Sequence, residues 1–230
     1  WRLEELDLSS NDLRAAGLAT LLASPTFAVR RLELLWCGLD NESLLSLANA
    51  PWPLEELDLS NNDFSTISLA VLFAAPTFAV RRLNVSDCGL DASFLVGLAD
   101  APWPLEELVV SENDFSAASA GPALTALSRR CPGLRVLNLA FCSLCASSFV
   151  ALVEAAWPAL NSLTADFNKV EFRAGGGGFS FHENPERIDF GDDAFAGFPE
   201  LEKLDLTDVP LYAYGAELLA WRDWPCLRRL

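Results

Sequence analysis

A stretch of eleven residues, LEELDLSSNDL at 3–13, returns as LEELDLSNNDF at 54–64 and LEELVVSENDF at 105–115, displaced by 51 residues each time. Between these copies lie VRRLELLWCGL at 29–39 and VRRLNVSDCGL at 80–90, again 51 residues apart. Self-similarity at a fixed period constrains a fold more tightly than any other sequence feature. Each unit can bury its apolar face only against the next, so the chain stacks into an extended array instead of collapsing around one core. Dividing the 230 residues by an average domain size is therefore the wrong arithmetic.

Aligned on L-x-x-L-x-L-x-x-N/C-x-L, the chain holds eight units and the start of a ninth, beginning at Leu3, Val29, Leu54, Val80, Leu105, Leu134, Leu160, Leu201 and Leu227. The steps between them are 26, 25, 26, 25, 29, 26, 41 and 26 residues. In LDL at 6–8 the period-two alternation turns the leucines inward and Asp7 outward, as on a half-buried strand. The ninth template position reads Asn11, Cys37, Asn62, Cys88, Asn113, Cys142, Asn168 and Val209. Asn there can satisfy backbone groups freed where the chain leaves the strand, and Cys packs as a small hydrophobe with a weak donor. Val209 can do neither polar job, so the eighth repeat is expected to turn differently, helped by Pro210. On these residues the chain resembles the leucine-rich repeat family over nearly its whole length. Its step length and Asn/Cys alternation resemble the ribonuclease-inhibitor-like and cysteine-containing subclasses. The resemblance implies an α/β leucine-rich repeat solenoid, a right-handed horseshoe with a parallel β-sheet on the concave face and helices on the convex face. It is expected here as a single array over residues 1–230.

Segments after the strands, SLLSLANA at 43–50, ISLAVLFAA at 67–75 and SFLVGLADA at 93–101, carry Leu and Ala at helical spacing, with Asp40 and Asp91 placed to cap the first turns. Prolines at 25, 51, 76, 102, 132 and 158 end the units. The recurring Trp-Pro pairs at Trp52, Trp103, Trp157 and Trp224 are expected to pack between successive turns. The 41-residue step contains an insertion near 173–190, with four glycines at Gly175–Gly178. An interruption in a tight repeat marks a functional or disordered surface loop. The chain then recovers at AFAGFPELEKLDL, 194–206, which reads as a convex segment leading into a strand.

Net charge is −16, from 32 acidic and 16 basic residues. That balance argues against nucleic acid, whose phosphates need clustered Lys and Arg. No apolar run approaches the roughly 18–20 residues that span a bilayer, so direct membrane insertion is not expected. Of the six cysteines, three occupy one rung of different repeats, which suits free buried thiols and an intracellular, reducing compartment better than a disulfide framework. Cys142 and Cys145 have CxxC spacing without a second pair, and the one histidine, His182, lies in the insertion, so neither a metal nor a cofactor is implied. The acidic run Glu183, Glu186, Asp189, Asp192 and Asp193 lacks the D-x-D-x-D-G calcium pattern and reads as a solvated loop. A catalytic triad needs partners that a single histidine does not supply, so an enzyme is not expected. The chain begins inside a repeat and contains no methionine, which leads to the expectation that it is part of a longer one.

Function is sought on the outward ladders. The third template position reads Glu5, Arg31, Glu56, Arg82, Glu107, Val136, Ser162 and Lys203; the second reads Glu4, Arg30, Glu55, Arg81, Glu106, Arg135 and Asn161. Alternating signs on strands about 4.8 Å apart place each acid between two arginines, an ion-pair network that cancels its own field. The eighth position reads Ser10, Trp36, Asn61, Asp87, Glu112, Phe141, Phe167 and Asp208. Rings at 36, 141 and 167 either anchor a partner or fold back as core. With Lys169, Phe179 and Phe181 of the following insertion, Trp36, Phe141 and Phe167 are the candidate partner-binding residues. The expected function is a non-enzymatic scaffold for a protein or peptide partner with basic character. The alternatives are the substrate-recognition arm of a larger enzyme, such as a ubiquitin ligase or bacterial effector, and a structural subunit of a large assembly.

Overall fold

The computed structural model describes residues 3–23, 27–64, 66–168, 193–209 and 212–230. Its strands are β1 (Glu5–Asp7), β2 (Arg31–Glu33), β3 (Glu56–Asp58), β4 (Arg82–Asn84), β5 (Glu107–Val109), β6 (Val136–Asn138), β7 (Ser162–Thr164) and β8 (Lys203–Asp205). They form one parallel sheet in sequence order. Helices α1 (Arg14–Leu22), α2 (Asn41–Ala48), α3 (Thr66–Phe73), α4 (Ala92–Asp100), α5 (Ala120–Arg130) and α6 (Ala146–Glu154) alternate with the first six strands, and α7 (Tyr212–Trp221) follows β8. Every strand meets the next at equal template positions, as in Leu6↔Leu32 and Leu108↔Leu137. The ninth unit begins the same way, with Arg229 bridging to Lys203. This is the strand-and-helix solenoid that the repeat implies.

Register follows from burial. The fourth and sixth template positions, such as Leu32 and Leu34 or Leu108 and Val110, are fully buried, so a slip of one residue would expose this whole row. The ninth position then ties the turns together. Asn113 Nδ2 donates to the carbonyls of Val85 (2.9 Å), Val110 (2.9 Å) and Ser111 (3.2 Å), while its Oδ1 accepts from the amides of Cys88 (3.2 Å) and Leu90 (2.9 Å). Asn62 makes the same set one pair of repeats earlier, and Asn168 makes most of it at the seventh. Cysteine at the alternate rungs donates its thiol to the preceding turn, Cys88 to Leu59 O (3.2 Å) and Cys142 to Val110 O (3.2 Å). Burial pushes both thiols up to about 12, which keeps them protonated donors.

Helix starts behave as the sequence suggests. Asp40 accepts from Ser43 N at 2.9 Å in a capping box, and Asp91 accepts from Ser93 N at 2.9 Å. Trp52, Trp103 and Trp157 are buried between turns and Trp224 is half-buried, with Trp157 Nε1 donating to Leu152 O and Trp224 Nε1 to Leu219 O.

One expectation is corrected. The eighth repeat does not turn differently: Asp208 keeps the left-handed conformation of its seven counterparts at φ 56°. Val209 donates its own backbone N–H to Leu206 O at 3.1 Å, the sixth-position carbonyl that the Asn side chain reaches elsewhere. Pro210 lies outside the described residues. The segment at 194–206 leads into β8 as expected; residues 193–197 form turns, and Ala194, Phe195 and Phe198 are buried in the core. Gly197 packs so tightly there that a Cβ would stand 2.0 Å from Ala155 O.

Candidate functional site

The eighth template position lies where each strand ends and the chain turns toward its helix. Its residues are in the left-handed region in all eight repeats, with φ from 49° at Asp87 to 61° at Ser10. Asn, Asp or Gly tolerates this conformation, and Asn61, Asp87 and Asp208 follow that preference. A bulky residue there costs about 1–2 kcal/mol. Trp36 (φ 56°), Phe141 (55°) and Phe167 (51°) nonetheless occupy it. In the first seven repeats the backbone N–H at this position donates to the seventh-position carbonyl of the next repeat, as from Phe141 to Asp166 O (3.1 Å) and from Phe167 to Thr207 O (2.8 Å). The eight side chains therefore line up as a rim along the edge of the concave face, at the strand spacing of roughly 4.8 Å.

The rings at 36, 141 and 167 do not fold back as core: Trp36 is 64% exposed, Phe141 50% and Phe167 38%. Phe141 and Phe167 stack with centroids 4.5 Å apart and planes within 6°. Trp36 is not brought to them. Asn61, Asp87 and Glu112 stand between, and four strand spacings put Trp36 roughly 19 Å away. Lys169, Phe179 and Phe181 lie outside the described residues, as does the insertion near 173–190.

Along the concave face the fifth-position side chains are occupied by their own turn. Asp58 Oδ1 accepts from Ser60 N (2.9 Å) and Asn84 Oδ1 from Ser86 N (3.1 Å); Asp205 Oδ1 accepts from Thr207 N (3.2 Å) and Thr207 Oγ1 (2.8 Å). These bonds hold the Asp205 carboxyl below the usual carboxylate range. The ion-pair ladder is present in the groove floored by β2 to β5. Glu56 lies between Arg31 (3.7 Å) and Arg82, Arg82 also reaches Glu107 (3.6 Å), and Arg30–Glu55 and Arg81–Glu106 (2.5 Å) pair at the second position. These groups are about half-exposed, so each pair contributes only roughly 0.2–1 kcal/mol.

Repeat seven departs from this pattern in a way that sequence inspection passed over. Its seventh position holds Asp166, where repeats three to five hold Ser60, Ser86 and Ser111. Asp166 Oδ1 is buried with no hydrogen-bond partner. Burial, and then the charge of Asp205 on the next strand, push its carboxyl above the ordinary range. The signal was available as an acid in a column of Ser, Ala, Leu and Thr, but only the orphaned oxygen gives it weight. Cys145 is a second substitution of this kind, standing at the cap position that Asp40 and Asp91 fill. Burial works to raise its thiol, but Ser147 Oγ (3.3 Å) and Ser148 Oγ (3.2 Å) more than offset this and bring it below the ordinary range.

Stacked parallel strands, an Asn/Cys rung and an outward rim define the chain as a leucine-rich repeat solenoid. Leucine-rich repeat family models match residues 3–22 and 53–73. The ribonuclease inhibitor of Sus scrofa is 32% identical over 144 residues, covering 57% of this chain and 30% of that protein. NACHT, LRR and PYD domains-containing protein 12 of Homo sapiens is 33% identical over 125 residues, 49% of this chain and 12% of that one. The chain thus spans less than a third of the length of these curated relatives. A solved structure described as "Crystal structure of Rad7 and Elc1 complex in yeast" covers 87% of this chain and 69% of its own at 15% identity, with a TM-score of 0.29, too loose a likeness to carry an argument. The chain is a leucine-rich repeat solenoid that is similar to the ribonuclease inhibitors over part of its length.

Proposed function

We propose that this chain is a non-enzymatic interaction scaffold that binds a protein or peptide partner of basic character through the rim and concave face of repeats six to eight, with the repeat-seven insertion as part of the surface. One observation carries this reading: Phe141 and Phe167 are stacked and exposed in a backbone conformation that penalises them. Strain kept at an exposed position is a mark of function, and rigid exposed aromatics are the side chains best able to anchor a partner. A net charge of −16 favours a basic partner by long-range attraction. The family serves widely as binding surfaces, and the name of the pig relative describes an inhibitor of another protein, which is the same class of role. The described cysteines are all free, which supports a reading of the protein as intracellular, in a reducing compartment.

Co-purification from the source tests the reading. The double variant Phe141→Ala/Phe167→Ala should retain its melting transition and lose at least tenfold of the bound partner. Partner recovery equal to that of the unaltered chain overturns the assignment of the site.

A further inference from the structure

We propose that the open faces of the Phe141–Phe167 stack receive the guanidinium group of an arginine presented by the partner. The inference rests on the interaction reading above and specifies the chemistry of the anchor. Two parallel rings 4.5 Å apart, on repeats roughly 4.8 Å apart, have their planes set across the rim. Each ring therefore covers one face of the other and turns its outer face along the rim. Beyond Phe141 the next rim residue is Glu112, and beyond Phe167 it is Asp208, both exposed. An incoming group that extends the stack thus lies against an aromatic face on one side and a carboxylate on the other.

The character of that group follows. An apolar side chain would satisfy the ring but take water from a carboxylate without replacing its hydrogen bonds. An anion would be repelled by Glu112, Asp208 and, beyond Glu112, Asp87. A lysine ammonium would pair with the carboxylate as a point charge, but it has no plane to lay on a ring. The guanidinium is flat, stacks on aromatic faces, stays charged at any working pH, and offers five N–H donors in its own plane.

Selection of a phage-displayed random heptapeptide library on the immobilised chain, followed by affinity measurement on synthesised hits, tests the proposal. The hits should share an arginine, and replacing it by lysine or by citrulline should weaken binding about tenfold or more. Phe141→Ala/Phe167→Ala should abolish binding. Phe141→Leu/Phe167→Leu, which keeps apolar bulk without a flat face, should reduce the preference for arginine over lysine. Ligands that depend on Phe141 and Phe167 but tolerate lysine or citrulline in place of arginine overturn the inference and leave the interaction reading standing. Failure to obtain any ligand that depends on the two rings overturns both.

Discussion

In repeats one to five the second and third template positions alternate acid and arginine, whereas from repeat six they read Arg135, Asn161, Glu202 and Val136, Ser162, Lys203. The rim changes across the same boundary, from the polar run Asn61, Asp87 and Glu112 to the stacked Phe141 and Phe167. Both regions use one turn with one left-handed residue, and both hang it from the same Asn or Cys rung, Val209 of repeat eight excepted. The first region puts the polar residues Ser10, Asn61, Asp87 and Glu112 in that turn, Trp36 apart, and pairs its ladder charges internally, so little is left to offer a ligand. The second places rings where the backbone disfavours them and leaves a carboxylate oxygen unsatisfied. The comparison teaches that regularity here marks scaffold and that departure from it marks the surface available for binding.

The largest expected effect tests the scaffold side. Asn113→Ala removes five hydrogen bonds and strands buried amides of Cys88 and Leu90, so it should lower unfolding free energy by about 3 kcal/mol in urea melts. A loss no larger than that of an exposed rim substitution would remove the Asn rung as the basis of the regular region. A smaller effect of opposite sign sharpens the view of the rim. Trp36→Asn relieves a left-handed tryptophan that is 64% exposed and should stabilise the fold by about 0.5–1 kcal/mol. Destabilisation by the same amount would mean that packing, not function, holds the ring there.

The smallest effect concerns Asp166. A carboxyl whose folded pKa lies above its unfolded value binds more protons when folded. The contribution of this one group is therefore greatest below the ordinary value of 3.8 and is lost as pH rises from there through the raised folded value. Asp166→Asn should flatten that part of the stability–pH profile and leave the variant slightly more stable than the unaltered chain at neutral pH. Identical profiles for the two proteins would show that the oxygen is satisfied in solution.

Much of this was legible from the order of residues. Leucines at fixed spacing can bury themselves only in register, so the repeat boundaries, the strand order and the charge ladder could be written down directly. The correction falls where a side chain was credited with a task that the backbone performs: Val209 needs no amide, because its own N–H reaches Leu206 O.

The sequence alone determined the solenoid and its rungs, since local periodicity and nearest-neighbour burial leave a repeat array one way to stack. It also showed which rim residues are aromatic. Whether those rings face water or core, whether they touch each other, and whether an acid among serines finds a donor depend on groups 25 or more residues apart along the chain. Only the stacking of turns brings such groups to one place. That is why Phe141 and Phe167 could be singled out by reading, while their stack, the strain beneath it and the orphaned oxygen of Asp166 came from the tertiary structure.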